Sequence, residues 1–386
     1  MILKKNLYPR IKAANGFLIK IIRWQPLSVG AIFLMNLTNA NAQSASRRQD
    51  YIRIMPVYQR WSQGQGTQLA QLSVPVYVRL ALGRNMNVAA RGGQANVNGD
   101  NTQKVNGLTD TQLSFNYSRG AFIYNFGVNF PSGKRKLTYD EFLTTALLSL
   151  NHYSFYTPSF GQGLNVTPGL TWAFSLSENL ALGLGASYQY KGKFKPVAFI
   201  GDYDPGNEVL LTGGVDWRLG EAAKFSWDVI YTLYGIDKLD SNQVFAAGNR
   251  FVMNAQFQQS FNFDQLSVFV RFLSRGKNSL AVGGALLPEV DKAAPEQIEF
   301  IAQYFHRFNP RFAVIGVTQG RFFTKPATAT LVSSAGIALG SVGVIPEISL
   351  SPRFKIPARF IYWLGRSRRG QDFVGMEVGL GMTASF

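Results

Sequence analysis

Residues 372–386 read DFVGMEVGLGMTASF, and they decide the fold. Val374, Met376, Val378, Leu380, Met382, Ala384 and Phe386 fall on one side of an extended chain. Gly375, Glu377, Gly379, Gly381, Thr383 and Ser385 fall on the other. Side chains alternate across a strand, so one face is apolar and the other is small, polar or charged. Strands of soluble sheets are mostly about 5–6 residues long. This pattern persists over the roughly 9–11 residues that a tilted strand needs to cross a bilayer. The stretch therefore predicts a membrane-crossing strand, with one face in lipid and one in a wet lumen.

The opposite end carries a different signal. Lys4, Lys5, Arg10, Lys12, Lys20 and Arg23 precede the mostly apolar run LSVGAIFLMNL (27–37), which is followed by Ala40-Asn41-Ala42. A positive segment, a short apolar core and an A-x-A site predict a secretory signal peptide over residues 1–42. Eleven residues are too few for a membrane anchor, which needs about 20. The six cations of that segment account for six of the formal +17, leaving +11 on residues 43–386. Cysteine is absent, so disulfide and thiolate chemistry are excluded. The 38 glycines and 13% aromatic content suit a barrel, where Gly allows close strand packing and aromatic rings form interface girdles.

Between the two ends a rhythm recurs of long alternating segment, short turn, long alternating segment and longer polar loop. The expected strands are 50–61, 69–82, 85–93, 107–118, 121–131, 163–175, 179–191 and 208–219. They continue as 224–235, 250–263, 265–275, 296–308, 311–323, 337–350, 354–364 and 372–386. This predicts an all-β, up-and-down antiparallel transmembrane barrel of about 16 strands. Fourteen stays open, because 50–61 could be an internal plug and Pro75, Pro168, Pro346 and Pro357 interrupt proposed strands. Short connections such as Arg119-Gly120 and Asn309-Pro310 alternate with long ones at 94–106, 132–162, 192–207, 236–249, 276–295 and 324–336. Such barrels keep short periplasmic turns and long external loops, which puts both termini in the periplasm. In the longest loop, Thr138 and Glu141 form a capping-box pattern ahead of Phe142-Leu143. The favoured reading is a helix on the external rim; the alternative is a constriction entering the lumen.

A family resemblance rests on two strands. Gly107-Leu108-Thr109-Asp110, Leu113 and Tyr117 are followed by Gly127, Pro131-Ser132-Gly133-Lys134. These are similar to the "G-x-x-D…L…Y" and "G…P-T-G-K" strands of outer-membrane transporters of the phenol meta-pathway type. They resemble, more distantly, the long-chain fatty-acid channel proteins. Ser132 replaces the commoner Thr, and Gly183 and Gly185 resemble the small mid-barrel residues of such families. The closing strand with its terminal Phe386 likewise resembles that of Gram-negative outer-membrane barrels. The resemblance implies location in the cell outer membrane, with Phe386 as an assembly signal read by the outer-membrane assembly machinery. It also implies passage of small hydrophobic or aromatic molecules.

The chemistry-bearing residues point the same way. Alternation places Arg79, Asp216, Arg218, Asp228, Glu299, Arg307, Arg359 and Glu377 toward the lumen, where fixed charges set solute preference or pair to close the pore. Arg366, Arg368 and Arg369 cluster in the last external loop and could contact lipopolysaccharide phosphates. The two histidines, His152 and His306, have no nucleophile and orienting acid beside them in sequence, so no enzyme is expected. Asp202 to Glu208 offers oxygen ligands for a calcium ion, but Pro205 departs from the helix-loop-helix pattern. No cofactor and no nucleic-acid partner are expected. The function expected is passive passage of small molecules; a structural or surface-interaction barrel is the alternative.

Overall fold

The computed structural model describes residues 50–64, 67–100, 102–149, 152–197, 201–324 and 336–386; the expected signal peptide lies outside the described residues. The first wall strand is split into β1 (Tyr51–Ile54) and β2 (Val57–Gln63), and β3 (Thr67–Ala81) and β4 (Met86–Gly99) follow it. The fourth is split into β5 (Val105–Leu108) and β6 (Thr111–Arg119), and β7 (Phe122–Phe130) is the fifth. A long connection carrying helix α1 (Tyr139–Leu148) leads to β8 (Asn165–Ser175) and β9 (Leu180–Lys191). The short loop strand β10 (Tyr203–Asp204) precedes β11 (Glu208–Arg218) and β12 (Ala223–Tyr234). Loop strands β13 (Ile236–Leu239) and β14 (Asn242–Ala246) precede β15 (Arg250–Phe261) and β16 (Asp264–Arg275). Loop strands β17 (Ser279–Val282) and β18 (Ala285–Pro288) precede β19 (Gln297–Asn309) and β20 (Phe312–Phe323). The wall ends with β21 (Ile337–Ser351), β22 (Phe354–Ser367), and a last strand split into β23 (Asp372–Leu380) and β24 (Met382–Ser385).

Every wall strand pairs antiparallel with its sequence neighbours, and the first closes on the last. Tyr51 stands opposite Ser385, and Val57 opposite Gly379. Counting split strands once, sixteen strands close the barrel, so the edge that would recruit another chain is gone. Residues 51–63 belong to the wall, which removes the plug alternative and the fourteen-strand count with it.

Pro75 and Pro357, two of the prolines that weakened the strand reading, fall at one level with Pro56. The three sit at or beside the breaks between β1 and β2, between β23 and β24, and in the β21–β22 ladder. Gly381 N–H donates to the Pro357 carbonyl at 2.8 Å, and Met55 N–H donates to that of Pro75 at 3.3 Å. A proline lacks the ladder donor, so neighbouring strands concentrate the lost bonds in a single irregular band.

The outer face is apolar. Tyr124, Leu184, Trp227, Tyr231, Phe360 and Tyr362 are each more than a third exposed and point away from the lumen. A belt of this extent would aggregate in water, whereas acyl chains solvate it. On the last strand Met376, Val378 and Leu380 lie outside while Phe373, Gly375 and Glu377 are buried inside, as the opening stretch predicts. Backbone polar groups are met strand to strand, the requirement for crossing a hydrocarbon core without helices.

The external loops hold structure that alternation did not foretell. Strands β10, β13, β14, β17 and β18 form a second, five-stranded sheet beyond the wall. Each is only two to five residues long, too short for a periodic signal to emerge.

Candidate functional site

The described parts of connection 131–164, residues 131–149 and 152–164, pack on inward-facing wall residues rather than resting on the rim, so the favoured rim reading is overturned. The capping box is formed. Glu141 N–H donates to Thr138 Oγ1 at 3.3 Å, and Thr138 N–H donates to Glu141 Oε2 at 3.0 Å. Lys134 Nζ also binds Glu141, at 2.5 Å. Phe142, Leu148, Tyr153, Phe155 and Phe160 are buried against inward-facing Trp61, Leu69, Val97, Trp363 and Phe373. This apolar interior patch lies across β2–β5 and β21–β23, and a rim helix could not have covered it. Burying one such side chain is worth about 1.5–3 kcal/mol, so packing explains the inward turn. The sequence signal was present in the wrong-facing apolar residues Trp61, Leu69, Val97 and Trp363, which break the wet-inside rule.

Two glutamines hold the descending part of the loop as a ladder would. Gln71 Nε2 donates to Thr157 O at 2.9 Å while its Oε1 accepts from Thr157 N at 2.9 Å. Gln59 does the same with Ser154 O (3.1 Å) and Tyr156 N (2.8 Å). Both glutamines are fully buried. Asp110 joins the two ends of the loop: its carboxylate accepts from Gly133 N (2.9 Å), Gln162 N (2.8 Å) and Asn129 Nδ2 (2.8 Å). A Cβ on Gly133 would collide with the Phe160 carbonyl oxygen. The residues that carried the family resemblance, Asp110 and Gly133, thus meet at the neck of the inward loop. Asp110→Ala would strand three donors at about 1–3 kcal/mol each. Trypsin should then cleave the folded variant after Lys134 or Arg135 ~10-fold faster or more; an unchanged rate would show that the neck is held elsewhere.

His152 lies in this loop, packed on Tyr153 (ring centroids 4.2 Å), Phe373 (5.6 Å) and Phe323 (6.3 Å). Its Nε2 has no hydrogen-bond partner. Burial, and secondarily the Arg321 charge, pulls its pKa down to about 3. Burial likewise pushes the Tyr153 phenol up to about 12. A released loop would titrate His152 near ~6.5. Between those values the docked form binds fewer protons, so docking is strongest above pH ~6.5 and weakens as pH falls toward 3. Conductance should rise on acidification from pH ~6.5 to ~4, and His152→Phe should flatten that response.

Along the inner wall a chain of polar and charged groups runs up to the loop. Asn254 Nδ2 donates to Asp228 (2.7 Å) and Arg271 Nε to Asn254 Oδ1 (3.0 Å). Glu299 then takes Arg271 Nη1 on one oxygen and Arg321 Nε on the other, both at 3.3 Å. The Arg321 guanidinium lies over the Trp363 ring at 5.2 Å. Trp363 Nε1 donates to Glu377 at 3.1 Å, and Arg359 Nε donates to its other oxygen at 2.9 Å. Arg359 finally faces the Tyr156 ring of the loop at 5.8 Å. Between wall and loop is a cavity of ≈ 590 Å³.

Of the expected lumen charges, Glu299, Arg359 and Glu377 line this cavity. Asp228 anchors the end of the chain, and Asp216 binds Ser226 (2.6 Å) and Lys224 (3.2 Å) lower on the wall. Arg79, Arg218 and Arg307 face inward near the short-turn end of the barrel, away from the cavity. Alternation missed Arg91, Arg250, Arg271, Arg275 and Arg321, which line it. In β16 the run Val268-Phe269-Val270-Arg271-Phe272-Leu273 is apolar on both faces, which hides the inward position of Arg271. Arg366 pairs with Asp372 (3.0 Å) on the exposed external rim, and Arg368 and Arg369 are exposed beside it.

No protein-family model matches the chain, and no curated protein matches it. Three solved structures show the kind of barrel it is similar to. Acinetobacter baumannii DcaP, an outer-membrane channel, is 11% identical over 88% of this chain and 96% of that one, with a TM-score of 0.45. OprD of Pseudomonas aeruginosa is 7% identical over 87% and 95%, with 0.43. CymD, a monoaromatic hydrocarbon channel, is 11% identical over 88% and 89%, with 0.41.

The remaining candidates resolve into local contacts. Asp204 meets Lys193 (3.5 Å), Asp202 meets Lys195 (3.6 Å), and Glu208 meets Lys191, so these carboxylates do not converge on one point. His306 Nδ1 is 2.6 Å from Asp264 Oδ1 on the outer face, an acid partner that sequence distance concealed. Among the described residues no Ser or Thr hydroxyl bonds that ring.

Proposed function

We propose that this protein is a passive channel of the cell outer membrane, admitting small molecules through a lumen narrowed by loop 131–164. The observation that carries the reading is the cavity between loop and charged wall. A volume of ≈ 590 Å³ lies within the range of sites for small organic molecules, ~300–1000 Å³. A barrel serving only as a membrane-embedded support gains nothing from a charged cavity inside its wall. The cavity joins apolar loop residues to fixed charges, a surface suited to solutes with an apolar or aromatic body. Glu299, Arg359 and Glu377 would set solute preference, and Thr138, Glu141 and Phe142 would shape the constriction. Arg366, Arg368 and Arg369 would hold lipopolysaccharide phosphates, and Phe386 would address the chain to the assembly machinery. The reading gives no role to catalysis.

Unitary current in planar bilayers with purified, refolded protein tests this reading. Discrete steps, with liposome swelling in small sugars or aromatic alcohols, are expected. A folded barrel that neither conducts nor swells liposomes would favour a structural or surface-interaction role.

A further inference from the structure

One cavity cation, Arg250, differs from its neighbours. Its side chain is only 6% exposed, and its Nε, buried at the cavity wall, has no hydrogen-bond partner. Its Nη2 lies 3.5 Å from Thr232 Oγ1. Arg271, Arg321 and Arg359 by contrast are each bound to a carboxylate. A buried guanidinium with an unmet donor is an uncommon cost for a folded wall to carry. Arg275 stands directly opposite Arg250, across the ladder between β15 and β16. Like charges in that position repel, and a negative group between them would relieve the repulsion. The Arg275 guanidinium rests on the Tyr234 ring at 5.3 Å, which holds it at the cavity wall.

We infer that Arg250, with Arg275 opposite it, forms an anion subsite of the lumen, specific for the carboxylate of a small solute with an apolar body. The inference rests on the channel reading and names its solute class. Three observations fix the chemistry. The guanidinium fork matches a carboxylate's two oxygens, so an arginine can donate two parallel bonds. The cavity lining carries eight Lys or Arg against four Asp or Glu, giving a positive field that draws anions in. The same lining includes Phe142, Phe155 and Phe194, which would cover a ring or short alkyl chain. An inorganic oxyanion would satisfy Arg250 and leave those rings wet, so an organic carboxylate fits better.

Calorimetry and bilayer current with the full-length folded protein test this together, using benzoate, benzyl alcohol and inorganic phosphate as probes. Benzoate is expected to bind and to reduce open-channel current in a saturable way. Benzyl alcohol and phosphate should each bind at least ~10-fold more weakly, the loss of one charged contact or of the apolar contacts. Arg250→Gln and Arg275→Gln should each weaken benzoate binding by about tenfold or more, whereas Arg119→Gln in a periplasmic turn should not. Circular dichroism and heat-modifiable migration establish that each variant is folded. If Arg250→Gln does not fold, Arg275→Gln and the probe series decide alone. Phosphate binding as tightly as benzoate would make the subsite a general oxyanion site and overturn the carboxylate assignment. Current without benzoate binding, or binding unchanged in the folded variants, would overturn the subsite. Binding without current would overturn the channel reading and leave the subsite standing.

Discussion

Replacing residues 134–161 with a short Gly-Ser linker should raise unitary conductance about threefold or more. Sixteen strands spaced about 4.8 Å apart and tilted about 40° give a wall of about 100 Å circumference, hence about 16 Å radius. Subtracting about 5–6 Å of inward side chains leaves an open lumen about 20 Å across, the scale of a water-filled pore. The inward loop occupies part of that lumen, with Phe142, Tyr153, Phe155 and Phe160 packed on the inner wall and a cavity of ≈ 590 Å³ left beside them. The wall closes on itself through strand pairing, with Phe386 N–H donating to Asp50 O at 3.0 Å at the seam. It should therefore fold without the loop. The variant would expose Trp61, Leu69 and Trp363 to water inside the lumen, which lowers stability but opens no edge. Conductance equal to wild type would mean that the loop does not set the narrowest section.

Glu299→Gln should be the most damaging single substitution in the wall. Its carboxylate holds Arg271 on one oxygen and Arg321 on the other, with Gln297 Nε2 at 2.9 Å as a third donor. The three charged side chains are 11–20% exposed, so lumen water screens them only in part. Breaking a buried pair by removing one partner costs about 3–5 kcal/mol, and partial hydration lowers that here to on the order of 3 kcal/mol. Neutralising Glu299 also removes the negative charge that sits between two guanidiniums of the inner wall, which should shift the reversal potential toward anions in a salt gradient. Denaturant titration followed by tryptophan fluorescence reads the first effect, and the reversal potential reads the second. A neutral outcome in both would show that Arg271 and Arg321 are solvated independently of Glu299.

The barrel was legible because its code is local. Phe225, Trp227, Val229, Tyr231 and Leu233 alternate with other residues along β12, and that period is all a lipid-facing strand requires. The loop's course is hidden for the converse reason. Its capping box is local and legible, but its destination depends on Trp61 and Trp363, hundreds of residues apart in the chain with ring centroids 5.6 Å apart in the fold. The charge chain was half legible. Glu299, Arg359 and Glu377 betray themselves by parity among apolar neighbours, while Arg271 is masked by a strand apolar on both sides. Which charges meet, such as Glu299 with both Arg271 and Arg321, follows from register across three strands. Alternation within one strand carries no register.

The absence of cysteine allows single spin labels to be placed anywhere on the chain without a background. The most direct test of the account is oxygen and water-soluble relaxant accessibility along residues 225–233 in lipid vesicles. Labels at 225, 227, 229, 231 and 233 should be relaxed by lipid-dissolved oxygen, and those at 226, 228, 230 and 232 by the aqueous agent or by neither. A uniform profile, or one with a helical period, would contradict a closed barrel with an apolar exterior and a wet interior.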